Sequence, residues 1–162
     1  MTDEDLEKAA IMENQMLNSR GMSELSKLGV YKKLIESVSI KDLNAFKKNR
    51  VFFNPILSPG SQTILPCDLK KGTKIITIDI NTIKLFTSDE GVAIILHEIG
   101  HALNQATANL EDAEYAADDY AVKRGYGEWI VSSLEKGKAI RPAEFVKDMT
   151  EKRIVRIKKN KK

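Results

Sequence analysis

The sequence predicts an α+β protein, on three observations. Apolar residues recur at helical spacing through about the first 48 positions. Short β-branched and aromatic runs, broken by Pro, Gly and Asn, occupy Arg50 to Phe86, and helical patterning returns from Thr87. Helices, then strands, then helices is a segregated order, unlike alternating βαβ units. With 162 residues, 42% of them hydrophobic and 30% charged, the chain is long enough to bury one real core. The expected organisation is a single domain over residues 1–151, helical over 1–48, sheet and loop over 50–86, and helices carrying the chemistry over 87–135. A basic tail at 152–162 completes it.

In the first part, Leu25, Leu28, Tyr31, Leu34, Ile35 and Val38 step by three and four, the mark of one buried helical face, and Gly21 is expected to divide this helix from a more polar one before it. Val51 to Phe53, Ile75 to Ile80 and Ile83 to Phe86 read as strands, with Asn54 to Gly72 as a long loop. Thr87 and Glu90 have capping-box spacing, and the unbroken apolar run Val92 to Leu96 makes the helix they open a buried one, running to about Gln105. A second helix is expected from about Glu111 to Arg124, ended by Gly125. A third starts near Gly127, and a basic one follows Pro142.

Charge and cysteine content narrow the classes. The net charge is +3, yet seven of the eleven residues from Lys152 to Lys162 are Lys or Arg; subtracting those seven leaves −4 for the rest. The basic character therefore belongs to the terminus. A single cysteine, Cys67, precludes an intrachain disulfide, and the start Met-Thr-Asp-Glu-Asp is acidic where a secretion signal is basic, so a reducing cytoplasm is expected. No run approaches the roughly 18 apolar residues of a membrane span, and no membrane partner is expected. No aromatic stacking platform, zinc ribbon or phosphate-binding glycine loop is present.

The chemistry concentrates in His97-Glu98-Ile99-Gly100-His101. Two histidines four apart on a helix project from one face a turn apart, a spacing that binds one Zn²⁺. Glu98 reaches water activated by that metal without ligating it, so it is the candidate general base. The bland alternative, two part-exposed histidines beside a solvated glutamate, fits poorly with a helix whose neighbouring residues are apolar. These are the only two histidines, so a third ligand is a carboxylate, the thiolate of Cys67 or something weaker.

Helix pairing suggests which. With a turn at Ala106 to Leu110, the two flanking helices run antiparallel, and residues at one level share a constant sum of residue numbers. His101 with Glu114 and His97 with Asp118 share that sum. Glu114 is then the third ligand and Asp118 an acceptor that fixes an imidazole tautomer. Asp119 points elsewhere, and Glu111 is a weaker candidate nearer the turn. The alternative for both acids is a solvated stripe.

His97-Glu98-Ile99-Gly100-His101 followed by Glu114-Tyr115-Ala116-Ala117-Asp118 resembles the HExxH…ExxAD signature of gluzincin zinc metallopeptidases, the CAAX prenyl endopeptidase and HtpX type, over about residues 87 to 125. The resemblance implies a zincin-type active-site helix packed against an antiparallel ligand-bearing helix. It implies one zinc held by His97, His101 and Glu114, Glu98 as base, Asp118 in support, and a protein or peptide substrate. It differs in having no spanning helix and a short gap between the motifs. It also suggests that Lys74 to Ile80 is an edge strand pairing with extended substrate, with a plain core strand as the alternative.

Weaker signals remain. A donor for the developing oxyanion has candidates in Tyr120 and Tyr126, and more loosely in Tyr115, Tyr31 and Arg124, each of which also reads as a packing or surface residue. Cys67 as ligand makes a deformylase-like amide hydrolase, although Gly100 stands where peptide deformylases have Asp; it also reads as an ordinary half-buried loop side chain. Gly100 is expected to admit a neighbouring backbone. The tail Lys152 to Lys162 reads first as a solvated, frayed end and second as a contact for nucleic acid or an acidic partner. The second makes the chain either a DNA-associated peptidase or a non-catalytic zinc-binding module.

Overall fold

The computed structural model describes residues 2–57, 70–104, 109–140 and 144–160, with the backbone alone at 140 and 144–147. Cys67, the turn residues 105–108 and Pro142 lie outside the described residues. The chain forms two compact units, Met1–Gly91 and Val92–Lys162.

The first unit begins with four helices, α1 (Asp3–Glu13), α2 (Ser19–Lys27), α3 (Val30–Ser37) and α4 (Ile40–Lys48). Reciprocal capping boxes start α1 and α4: Thr2 with Asp5, and Ser39 with Asp42. The helical face expected from Leu25 to Val38 is split between α2 and α3, because Gly29 takes a left-handed φ of 71°. Gly21 is not the divider. It lies inside α2, where a Cβ would stand 2.1 Å from the carbonyl oxygen of Pro55, so its bare backbone lets α2 rest on a strand.

That strand is β1 (Val51–Ile56), paired in parallel with β2 (Lys74–Asp79) from Val51 opposite Lys74 to Ile56 opposite Asp79. On its other edge, the Phe53 amide donates to Gln15 O at 2.8 Å, and the Leu17 amide donates to Phe53 O at 2.8 Å. Asn54 to Ile56, expected in a loop, extend β1. Phe46, Phe53, Leu25, Leu34 and Met12 are fully buried and form the centre of this core.

The expected third strand, Ile83 to Phe86, is absent among the described residues. Ile80 also leaves β2 to begin a short helix, α5 (Ile80–Ile83). The cause is local. The Asp79 carboxylate accepts from the Asn81 amide at 3.0 Å and the Thr82 hydroxyl at 2.7 Å, turning the chain as soon as the strand ends. Ile80 and Ile83, three apart, are both buried.

Helix α6 (Ser88–Leu103) crosses from the first unit into the second, and α7 (Leu110–Val122), α8 (Gly127–Ile140) and α9 (Glu144–Lys159) follow. At the start of α6 the Thr87 amide donates to Glu90 Oε2 at 2.8 Å, and the Glu90 amide donates to Thr87 Oγ1 at 3.3 Å. Val92, Ala93, Ile95, Leu96 and Ile99 on α6 are buried, as are Ala117 and Ala121 on α7, Ile130 on α8, and Ile154 and Ile157 on α9.

Residues 152–159, expected as part of a tail, are the last turns of α9 and pack along one face, with Ile154 and Ile157 buried and Lys152, Val155, Lys158 and Lys159 exposed. Ile157 is 1% exposed, and Arg156 forks onto Asp119 with two contacts of 2.7 Å. Among the described residues, no helix is long and apolar enough to cross a membrane. The architecture is thus α+β and mostly helical, with a two-stranded parallel sheet.

Candidate metal centre

The site lies within the second unit and is built by α6, α7 and α9. The four-residue step on α6 puts His97 and His101 on one face, with their rings 4.6 Å apart between centroids and nearly perpendicular at 87°. Their Nε2 atoms stand 3.0 Å apart. On α7, Glu114 faces both: Oε2 is 3.4 Å from His97 Nε2, and Oε1 is 3.3 Å from His101 Nε2. The three donor atoms lie within 4.8 Å of one another.

These separations can be set against the size of a metal ion. Bonds of about 2.0–2.1 Å in a tetrahedral shell place neighbouring donors about 3.3–3.4 Å apart. The 3.0 Å between the two Nε2 atoms, and the 3.3 and 3.4 Å contacts that run to different oxygens of Glu114, are close to that spacing. The residues therefore fit a small dication and leave the opposite corner without a protein donor from this trio.

The two helices approach closely because of Gly100. A Cβ there would lie 2.7 Å from Ala117 Cα and 2.8 Å from Ala117 O, so the Ala117 backbone occupies the space a side chain would take. The expectation of a backbone approach at Gly100 is met, one residue before His101.

Asp118 sits behind His97. Its Oδ1 is 2.9 Å from Nδ1, and it has no exposed surface. Burial opposes its charge, but hydrogen bonds from Arg153 and His97 outweigh that and hold its carboxyl below the usual range. As a carboxylate it accepts the Nδ1 proton, which turns the Nε2 lone pair of His97 toward His101 and Glu114. Burial of His97 would by itself lower its pKa; the hydrogen bonds with Asp118 and Glu114 reverse that, and the net direction is upward. Glu114 is likewise opposed by burial, then drawn well below the usual carboxylate range by His101, His97 and Arg153.

Arg153, on α9, is the residue the sequence reading missed. Its Nε donates to Asp118 Oδ2 at 2.8 Å, Nη2 to Asp118 Oδ1 at 2.6 Å, and Nη1 reaches Glu114 Oε2 at 2.6 Å. Nη2 also lies 3.2 and 3.4 Å from the two ring nitrogens of His97. Its side chain is 11% exposed. With neutral imidazoles, two carboxylates and one guanidinium leave one negative charge in excess, which suits a cation more than an anion.

The other candidates are placed as follows. Glu98 is exposed beside His97, and its charge is felt at Arg153. Glu111 accepts from the Tyr115 hydroxyl at 2.6 Å and meets Lys152 at 3.7 Å, so it stands outside the donor trio, and Asp119 pairs with Arg156. Tyr120 packs its Cβ against Gly100, with the Arg124 guanidinium 3.3 Å above its ring; Tyr126 lies in the turn into α8. Tyr31 belongs to the first unit, where its hydroxyl lies 3.5 Å from Ala9 O.

Comparison with protein-family models, curated proteins and solved structures gives no match for this chain.

Proposed function

We propose that this chain is a zinc-dependent metallopeptidase of the gluzincin kind, hydrolysing peptide bonds with metal-activated water and Glu98 as general base. The observation carrying this reading is the His97, His101 and Glu114 donor trio, with one donor atom of each within 4.8 Å of the others, and Asp118 fixing the tautomer of His97. Two nitrogens and one carboxylate oxygen suit zinc among the common cations, and a vacant corner distinguishes a catalytic from a structural arrangement. When bound, the cation supplies Lewis acidity and makes water acidic enough to lose a proton near neutral pH.

The chain's own groups supply the rest. Glu98, exposed beside the first ligand, accepts the proton from the attacking water as its oxygen bonds to the scissile carbonyl carbon. As the C–N bond breaks, Glu98 returns that proton to the leaving amine. Asp118 and Arg153 hold the ligands in register, and Arg153 keeps the carboxylates of Asp118 and Glu114 ionised. The substrate class is a protein or peptide.

Two alternatives are less well supported. A deformylase-like site needs Cys67, whereas Glu114 already completes a donor trio. Contact with DNA through residues 152–162 needs free cations, whereas Lys152, Arg153, Arg156 and Lys158 are engaged with acids of the same unit.

Elemental analysis of purified protein tests the proposal, alongside Glu114→Ala and Glu98→Gln. About one zinc per chain is expected in wild type and Glu98→Gln, with markedly less in Glu114→Ala. Peptide cleavage is expected in wild type alone. A wild type that takes up no zinc when it is supplied would end the enzyme reading.

A further inference from the structure

Two basic stretches, 47–50 and 70–74, are far apart in sequence and adjacent in the first unit. The parallel register sets Lys74 opposite Val51, the Lys74 amide donates to Arg50 O at 3.0 Å, and Arg50 Nη1 donates to Lys71 O at 3.3 Å. Lys47, Lys48 and Arg50 leave α4 and enter β1; Lys70, Lys71 and Lys74 lead into β2. All six are exposed, and neither Leu43 to Leu57 nor Lys70 to Ile78 contains an Asp or Glu. Lys47 and Lys48, in the last turn of α4, complement the negative end of its dipole. That local account does not extend to Lys70 and Lys71.

We propose that this face binds the phosphodiester backbone of nucleic acid, independently of base sequence. The composition selects this partner. Stable anchoring on a membrane adds an inserted apolar face or an acyl chain to the cations, and a tight protein interface is centred on buried anchor side chains. The exposed large hydrophobic residues among those described, Leu6, Leu85, Leu110 and Val155, all lie outside these stretches. What accompanies the cations instead is amide and hydroxyl: Asn44, Asn49 and Thr77 are exposed along the same segments. Lys, Arg, Asn and Thr side chains are among the groups that hydrogen-bond phosphate and sugar. The sequence pointed to the C-terminal run for such a role; the fold instead assembles the cationic surface at the start of the sheet. This inference does not depend on the peptidase reading.

The test is binding of a mixed-sequence DNA duplex of about 25 base pairs to the full chain by fluorescence anisotropy, across salt concentrations. Five phosphate contacts, from Lys47, Lys48, Arg50, Lys70 and Lys71, predict a log K against log salt slope of about −4.5, and about 500-fold weaker binding at 200 than at 50 mM salt. Lys48→Gln with Lys71→Gln is expected to flatten that slope by about 2, with circular dichroism unchanged. Lys159→Gln on α9 is expected to bind as wild type. No binding at low salt, an unaltered slope in the double variant, or binding lost with Lys159→Gln would each overturn the proposal. So would polyglutamate binding as tightly as the duplex, which would mark a surface for acidic proteins.

Discussion

Arg153 and Asp118 meet through two hydrogen bonds, 2.8 Å from Nε and 2.6 Å from Nη2, at a carboxylate with no exposed surface. Each is the main counter-charge of the other, and the geometry is the two-point fork at which Arg and Lys differ. Removing one side leaves a buried charge uncompensated. Arg153→Met should therefore cost about 3–5 kcal/mol of stability in metal-free protein, and Arg153→Lys should recover only part of it. Urea unfolding in the presence of a chelator measures both; a loss below about 1 kcal/mol for Arg153→Met would mean the pair contributes little.

Asp118→Asn tests the tautomer argument. The amide keeps the shape but can present its NH₂ to Nδ1, which favours a proton on Nε2, the wrong nitrogen for a ligand. Zinc affinity should drop about 10–100-fold, read by competition with a chromogenic chelator. Unchanged affinity would show that His97 does not need Asp118 to present Nε2.

Glu98→Gln should keep zinc affinity within a few-fold while lowering the cleavage rate constant by about 10²–10⁴. Single-turnover kinetics on a peptide substrate measures this. Full activity in that variant would remove Glu98 as the base.

Two glycine substitutions should have opposite signs. At Gly100 an added Cβ would clash with Ala117 backbone atoms at 2.7 and 2.8 Å, so Gly100→Ala should destabilise by about 1–3 kcal/mol and weaken zinc binding. At Gly137, inside α8, nothing stands within 4 Å of the added Cβ, and alanine should gain up to about 1 kcal/mol. Thermal unfolding of the two variants checks both signs.

The pH dependence of the metal-free protein follows from the directions of the shifts. Glu114 and Asp118 are lowered from ordinary values of 4.5 and 3.8, so their contribution is present above those values and fades as pH falls further. His97 is raised from 6.5, so its contribution is present below 6.5 and is lost as pH climbs through the folded value. The site therefore stabilises metal-free protein most between about pH 4.5 and 6.5. Zinc requires unprotonated imidazoles, so the stabilisation it adds should grow above that window. Melting temperatures with chelator and with zinc measure this, and an equal zinc increment at pH 5 and pH 8 would contradict it.

The candidate metal centre was legible in the sequence as far as its logic was periodic. The His97–His101 step follows from helical pitch, and the levels of Glu114 and Asp118 follow from reflecting one helix across a short turn. Gly100 was legible as a residue without a side chain inside a buried helix, next to His101. Arg153 was not, because its partners are 35 residues away through α8, and its neighbours Lys152, Lys158 and Lys159 make the segment look like a solvated charge run. The available signal was Ile154 and Ile157, three apart within that run and both buried. In the first unit, helical periodicity revealed the elements but not their joints. Leu25 to Val38 carried one rhythm across the break at Gly29, and the β-branched run through Ile80 concealed the turn that Asp79 makes. The parallel direction of the sheet has no counterpart in side-chain alternation, which is the same for either direction.

Helix α9 also gives the centre a history. Arg153 follows His97 by 56 residues, and α7 and α8 are both made in between. While the chain emerges from the ribosome, both histidines and both carboxylates come into being before the guanidinium that balances them. Until then Glu114 and Asp118 lack the counter-charge they both meet in the folded chain.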